Sequence, residues 1–228
     1  MTQRNDQNYT KIAQVYEEHL HYQTKENLFT WAIKNGLQDQ TTIGVVGPGP
    51  GIDVKAIAEK RNHCTLLGAE PNTALFRQSK SLAKKLKQQG NTNTYHVYQK
   101  PLQDLPPQFQ NLDTIFCSFS LHEALDKRRD PEELEAVLKD LVTRIKPKGN
   151  LIILDFEYTP ESTREGVEAH HPILMQDLKH FHEKTEIFQM REILKAASKH
   201  FQQAAEPMIL EKARYLIINE YGLILQKR

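Results

Sequence analysis

Apolar positions recur along this chain at two different periods, and the change of period marks out its architecture. Tyr9, Ile12, Ala13, Tyr16 and Leu20 follow helical spacing, with Asn8 available as a cap. A second helical stretch, from about Lys25 to Lys34, carries Leu28, Phe29, Ala32 and Ile33 and stops at Gly36. Strands and helices then alternate. Thr42–Val46 precedes a helix over Ile52–Lys60, and Thr65–Ala69 precedes a helix from about Thr73 to Gln89. Thr94–Tyr98 and Asp113–Phe119 read as the third and fourth strands. Asp130 caps the next helix and Pro131 sits in its first turn. Leu134, Val137, Leu138, Leu141 and Ile145 form its apolar stripe, which Lys146-Pro147-Lys148-Gly149 ends. Asn150–Asp155 is a continuous apolar run of the kind buried on both faces. Met190, Ile193, Leu194 and Ala197 mark a late helix. Tyr215–Ile218 and Leu223–Leu225, separated by Asn219-Glu220-Tyr221-Gly222, predict a closing hairpin.

Five strand–helix alternations predict an α/β fold with three layers: a Rossmann-like, seven-stranded, mostly parallel sheet between helices, with an antiparallel strand from the C-terminal hairpin. The length of 228 residues fits one such domain, and a net charge of +1 gives no general attraction to nucleic acid or membrane. Cys64 and Cys117 both lie in apolar strand-like runs, which predicts reduced, buried thiols and no disulfide or zinc framework. The first residues lack an apolar signal core, and no apolar run is long enough to span a bilayer. A soluble, cytoplasmic protein is the expectation.

The segment richest in chemistry is Gly47-Pro48-Gly49-Pro50-Gly51, directly after the first strand. Glycines at alternate positions there let a ligand lie almost against the backbone, where the next helix also directs its first N–H groups. A dinucleotide fingerprint would need glycine where Ile52 stands, and a Walker loop would need Gly-Lys-Ser/Thr, so neither motif is present. Glu70 follows the second strand, 19 residues after Gly51, where an acid can accept both hydroxyl protons of a ribose.

Together these residues resemble class I S-adenosylmethionine-dependent methyltransferases of the small-molecule type. Val45-Val46-Gly47-Pro48-Gly49-Pro50-Gly51 is similar to the family's first motif, and Glu70-Pro71-Asn72 to its acidic ribose-binding motif. Gln103-Asp104-Leu105-Pro106 resembles the segment whose Asp holds the adenine amino group. Leu112–His122 resembles the fourth-strand motif, and Ile145-Lys146-Pro147-Lys148-Gly149 is similar to a Leu-Lys-Pro-Gly-Gly turn. The resemblance implies S-adenosylmethionine as cofactor, bound by Gly47, Pro48, Gly49, Gly51, Glu70, Pro71, Asn72, Gln103, Asp104 and Ser118. Tyr9 and Tyr16 resemble the N-terminal lid helix, with Tyr16 against the cofactor and Tyr9 toward the acceptor; both also lie on an apolar face, where core packing is the competing role. It implies one methyltransferase domain over 1–228: lid helices over 1–38, a cofactor core over 40–155, an acceptor-side insertion over 156–185, and the last helix and hairpin over 186–228. The family places the antiparallel seventh strand between strands five and six.

The acceptor is expected to be an O or N atom of a small molecule, and an O acceptor such as a phenol calls for a base near neutrality. His122, beyond the fourth strand, is the first candidate, with Glu123 beside it to orient it; packing on the cofactor is its alternative role. His170 and His171 lie in the insertion, His171 as a second candidate for catalysis and His170 for acceptor contact. His180 and His182 would point to opposite sides of a helix, which argues against a metal site. The neutral charge and the absence of an Asp-Pro-Pro-Tyr type motif argue against a nucleic acid partner. Two rival readings remain: a catalytically silent S-adenosylmethionine-binding sensor or partner protein, and a nicotinamide-dependent oxidoreductase, which Ile52 disfavours.

Overall fold

A computed structural model describes residues 22–125, 130–158, 188–214 and 218–228. The predicted helix over Tyr9–Leu20 and the histidines of the insertion lie outside them. In chain order the elements are α1 (Tyr22–Gly36), β1 (Thr42–Val46), α2 (Ile52–Lys60), β2 (Thr65–Ala69), α3 (Thr73–Gln88) and β3 (Thr94–Tyr98), followed by a 3₁₀ turn (Leu102–Asp104). Then come β4 (Leu112–Ser118), α4 (Leu121–Ala124), α5 (Pro131–Arg144), β5 (Ile145–Tyr158), α6 (Met190–Ala197), β6 (Phe201–Gln203), β7 (Met208–Arg214) and β8 (Ile218–Lys227).

The strands lie in the order β3-β2-β1-β4-β5-β8-β6, with β7 also paired to β8. β1 to β5 are parallel to one another, and β8 runs antiparallel to β5, β6 and β7. The chain winds outward from β1 to β3, then returns past β1 to β4. A crevice therefore opens between the carboxyl ends of β1 and β4, where such sheets bind ligands.

Side chains alternate between two cores. Ile43 and Val45 of β1, with Ile152 and Leu154 of β5, face Leu28, Phe29, Ala32 and Ile33 of α1 and Val54 and Ile57 of α2. Val46, Leu151 and Ile153 face Leu134, Leu138 and Leu141 of α5 and Ile193 of α6. This two-sided burial is what the unbroken apolar strands anticipate.

At the C-terminus the predicted seven-column sheet is present with one column subdivided, and the predicted hairpin is corrected. Among the described residues eight strands occupy the seven columns, because β6 and β7 share the column beside β8: Phe201–Gln203 pairs with one end of β8 and Met208–Arg214 with the other. The hairpin also starts earlier than expected. Asn219-Glu220-Tyr221-Gly222 has the composition of a turn but lies inside β8, where Tyr221 pairs with Asp155 and Gly222 with Leu154. Packing overrides turn propensity here. Tyr221 and Glu220 are buried, and a Cβ on Gly222 would stand 2.6 Å from the Trp31 ring.

Polar side chains fix the segments that flank the strands. Asp113 accepts the Thr42 amide at 2.8 Å and the Lys146 ammonium at 2.8 Å, joining the starts of β1 and β4 to the first residues of β5. Gly149 is needed in that segment because a Cβ would lie 2.7 Å from the Asp113 carbonyl oxygen. Asn93 is 5% exposed; it accepts from the Cys64 amide at 2.7 Å and donates to the Arg61 carbonyl at 2.8 Å. Asp130 caps α5 through the Glu132 amide at 2.9 Å.

Asp130 and Asn93 set a ranking. Asp130→Ala removes one exposed cap and is expected to cost about 1 kcal/mol, lowering Tm by roughly 2–4 °C. Asn93→Ala orphans a buried donor and a buried acceptor and is expected to cost about 2–4 kcal/mol. Thermal denaturation of the two variants checks the order, and equal losses would contradict it.

Candidate functional site

The crevice is floored by the turn between β1 and α2. Gly47, Gly49 and Gly51 adopt φ of 61°, 56° and 97°, values that side chains rarely allow. The turn closes through the Gly51 amide to the Pro48 carbonyl at 2.8 Å, and the Gly47 amide binds the Ala69 carbonyl at 2.9 Å. The three glycines face different surroundings. A Cβ on Gly47 would stand 2.6 Å from the Ser120 Cβ, and one on Gly51 would stand 2.4 Å from Leu82. Among the described residues nothing lies within 4 Å beside Gly49. Two glycines are thus required by the protein's own packing, and the third leaves open the surface a ligand can approach. Pro48 is buried and its ring, with the Tyr95 hydroxyl, crowds the position above Gly68. Gly51 is also the N-cap of α2 and no side chain caps that end, so its first amides stay directed toward the crevice.

Glu70 joins this turn to the end of β2. Its side chain accepts the Gly49 amide at 2.9 Å on one oxygen and the Asn72 amide at 2.9 Å on the other. The residue is 4% exposed, and burial pushes its carboxyl up to about 7 against the opposing pull of those two amides. Asn72 also caps α3, its side-chain oxygen accepting the Ala74 and Leu75 amides at 3.0 and 2.9 Å. Half-buried Pro71 sits between the two residues.

The opposite wall comes from the end of β4. Ser118 is buried. Phe119 then takes φ 49°, its amide bound to the Leu154 carbonyl at 2.7 Å. That reversal sets Ser120 against Gly47, and the Ser120 hydroxyl donates to the Val46 carbonyl at 2.7 Å. Two residues on, His122 Nδ1 lies 2.6 Å from Asp155 Oδ1, and its ring meets Phe156 edge-on at 4.8 Å. Side-chain exposure is 8% for His122 and 2% for Asp155.

The glycine turn, Glu70 and Asn72 are therefore joined by hydrogen bonds, with Ser118 and His122 on the facing edge. Gln103 and Asp104 stand on the 3₁₀ turn after β3 with exposed side chains. Gln103 donates to the Ala124 carbonyl and Asp104 pairs with Lys100. Tyr9, Tyr16, His170 and His171 lie outside the described residues, as does the side chain of Glu123. Ser120 and Asp155 are site residues the sequence did not single out. Asp155 left one signal, a charged residue ending an otherwise apolar strand run.

A family model described as a methyltransferase domain matches residues 45–153. Among curated proteins none matches the sequence. Solved structures of the same fold include the cyclopropane synthase MmaA2 from Mycobacterium tuberculosis, 12% identical, with a TM-score of 0.65 over 100% of this chain and 95% of that one. Geranyl diphosphate C-methyltransferase from Streptomyces coelicolor is 11% identical, with a TM-score of 0.65 over 90% and 79%. A SAM-dependent methyltransferase from Aquifex aeolicus is 16% identical, with a TM-score of 0.60 over 96% and 98%. The matched residues run from the glycine turn to the middle of β5, the part that builds the crevice. Residues 45–153 are thus similar to a methyltransferase domain, and the described fold is shared with solved methyltransferases.

Proposed function

We propose that this chain is an S-adenosylmethionine-dependent methyltransferase that acts on an O or N atom of a small-molecule acceptor, with His122 as the group that takes the acceptor's proton. The observation that carries the reading is a nearly buried imidazole at the carboxyl end of β4, two residues beyond the Ser120 that packs on the cofactor turn at Gly47. Neutral net charge supports an acceptor other than nucleic acid. Among the described residues no helix is long and apolar enough to cross a membrane.

The residues present suit the cofactor. The open face of Gly49 admits a ligand against the backbone, and the Glu70 carboxylate retains lone pairs beyond the two amides it accepts, enough for two ribose hydroxyls. Bound S-adenosylmethionine supplies a methyl group on a sulfonium, already a strong electrophile. What is left to the chain is alignment, exclusion of water and proton removal. Orientation alone is worth several kcal/mol in such reactions. Proton removal at the His122 imidazole adds on the order of 10²–10⁴ in rate for an acceptor that must lose a proton.

Calorimetry with S-adenosylhomocysteine tests the cofactor half of this reading: the protein is expected to bind it, and no detectable binding would refute it. Methyl transfer to a panel of phenols, amines and carboxylates tests the other half. His122→Ala is expected to slow transfer to the responsive acceptors by about 10²-fold or more while leaving the nucleoside affinity near that of the native protein. Transfer confined to carbon acceptors would overturn the O or N assignment.

Glu70 gives the affinity a pH dependence of known sign. Its carboxyl titrates at about 7 in the free protein against an ordinary 4.5, so its protonated form stabilises the fold below 4.5, and that contribution is lost as pH rises through about 7. Ribose hydroxyls favour the ionised form, which alone accepts both. Affinity for S-adenosylhomocysteine is therefore expected to rise as pH climbs from about 5.5 to 7.5, with a proton released on binding. Glu70→Gln should weaken binding by roughly 10–100-fold, the worth of hydrogen bonds to a charged group, and flatten that rise. Titrations in buffers of different ionisation enthalpy measure both quantities.

A further inference from the structure

We infer that Asp155 is a positioning residue for His122: it fixes which ring nitrogen carries the hydrogen and so which one can accept a proton. The inference rests on the role proposed for His122 and adds a residue to it. Asp155 Oδ1 lies 2.6 Å from His122 Nδ1 and also accepts the Phe156 amide at 3.0 Å, while Oδ2 accepts the His122 amide at 3.4 Å. Two backbone amides thus hold the carboxylate from β5 and from α4. A carboxylate oxygen at 2.6 Å from a ring nitrogen needs a donor there, not a second acceptor. The hydrogen therefore resides on Nδ1, and Nε2 keeps the lone pair.

The surroundings keep this pair in one geometry. Asp155 is the residue of β5 directly opposite Tyr221 in β8, whose ring is buried and whose hydroxyl burial pushes well above its ordinary range. A cavity of about 10 Å³ bounded by His122, Asp155, Tyr221, Leu125, Phe188 and Ile193 is no larger than one water. The Phe156 ring, edge-on at 4.8 Å, limits rotation of the imidazole from another side. With so little solvent around the carboxylate, its bond to the imidazole is a buried hydrogen bond to a charged group, which is among the strong ones.

The test reads the hydrogen itself. Nitrogen-15 correlation spectra of the ligand-free full chain, labelled at histidine and recorded where the ring is neutral, report the bare nitrogen of each imidazole. His122→Gln assigns the signal by removing it. The expected native spectrum has the hydrogen on Nδ1, and a hydrogen on Nε2 overturns the inference without any further variant. In Asp155→Ala the ring loses its acceptor, so the hydrogen is expected to move to Nε2, where a neutral imidazole ordinarily carries it; an unchanged tautomer also overturns it. With any acceptor the native protein methylates, Asp155→Ala should lower kcat by about 10²–10⁴-fold while KM and the affinity for S-adenosylhomocysteine stay within about twofold. A loss shared equally by kcat, KM and nucleoside affinity would indicate a structural role and overturn the inference. Absence of nucleoside binding by the native protein would instead refute the function, because the tautomer is read without turnover.

Discussion

The contact on which the site depends is the approach of Gly47 to Ser120. Two backbone segments, one leaving β1 and one leaving β4, come so close that a single methyl group between them would stand 2.6 Å from the Ser120 Cβ. The sheet order makes the approach possible, since β1 and β4 are neighbours although β2 and β3 intervene in the chain. The hydroxyl of Ser120 on the Val46 carbonyl fixes it from the β4 side, and the Gly47 amide on Ala69 fixes it from the β2 side. Once it is made, the remaining geometry follows with little freedom. Gly49 must rise into the crevice, Glu70 meets its amide, and His122 enters α4 within reach of β5.

Much of this was legible in the residues. β1, α2, β2 and β3 occupy the stretches that apolar periodicity outlines, because each buries its pattern against its neighbours. The glycine turn and Glu70 were legible for another reason: residue type there is dictated by backbone conformation and burial, which leave few alternatives. Asp155 was harder to read. It looks like the polar end of a strand, and only the pairing of β4 with β5 and the reversal at Phe119 show that a histidine waits for it. Asn219–Gly222 misled for the converse reason. A turn-like composition was recruited into a strand because Gly222 fits under α1 while Tyr221, on the opposite face beside β5, packs near Phe188 and Ile193, a fact of tertiary packing that no local propensity carries.

Burial of charge recurs across the crevice. Glu70 and Asp155 are both nearly inaccessible acids toward the carboxyl ends of parallel strands, and each accepts two backbone amides. A buried carboxylate left alone would cost several kcal/mol, so the amides are the reason the acids can stand there at all. What differs is the third partner. For Glu70 the lone pairs that remain serve the open side of Gly49; for Asp155 they serve an imidazole. One arrangement of chain, used twice, makes one acid a holder of a ligand and the other a holder of a side chain.

The divided column at the end of the sheet has a consequence unrelated to chemistry. A long terminal strand would present an unbroken row of unpaired amides and carbonyls, a template on which a second molecule could add its own strand. Here that row is cut into a piece of three residues and one of seven, with residues 204–207 between them. Any incoming strand would have to satisfy two separate stretches at once. The interruption between β6 and β7 thus protects the fold along this edge through the connectivity of the chain.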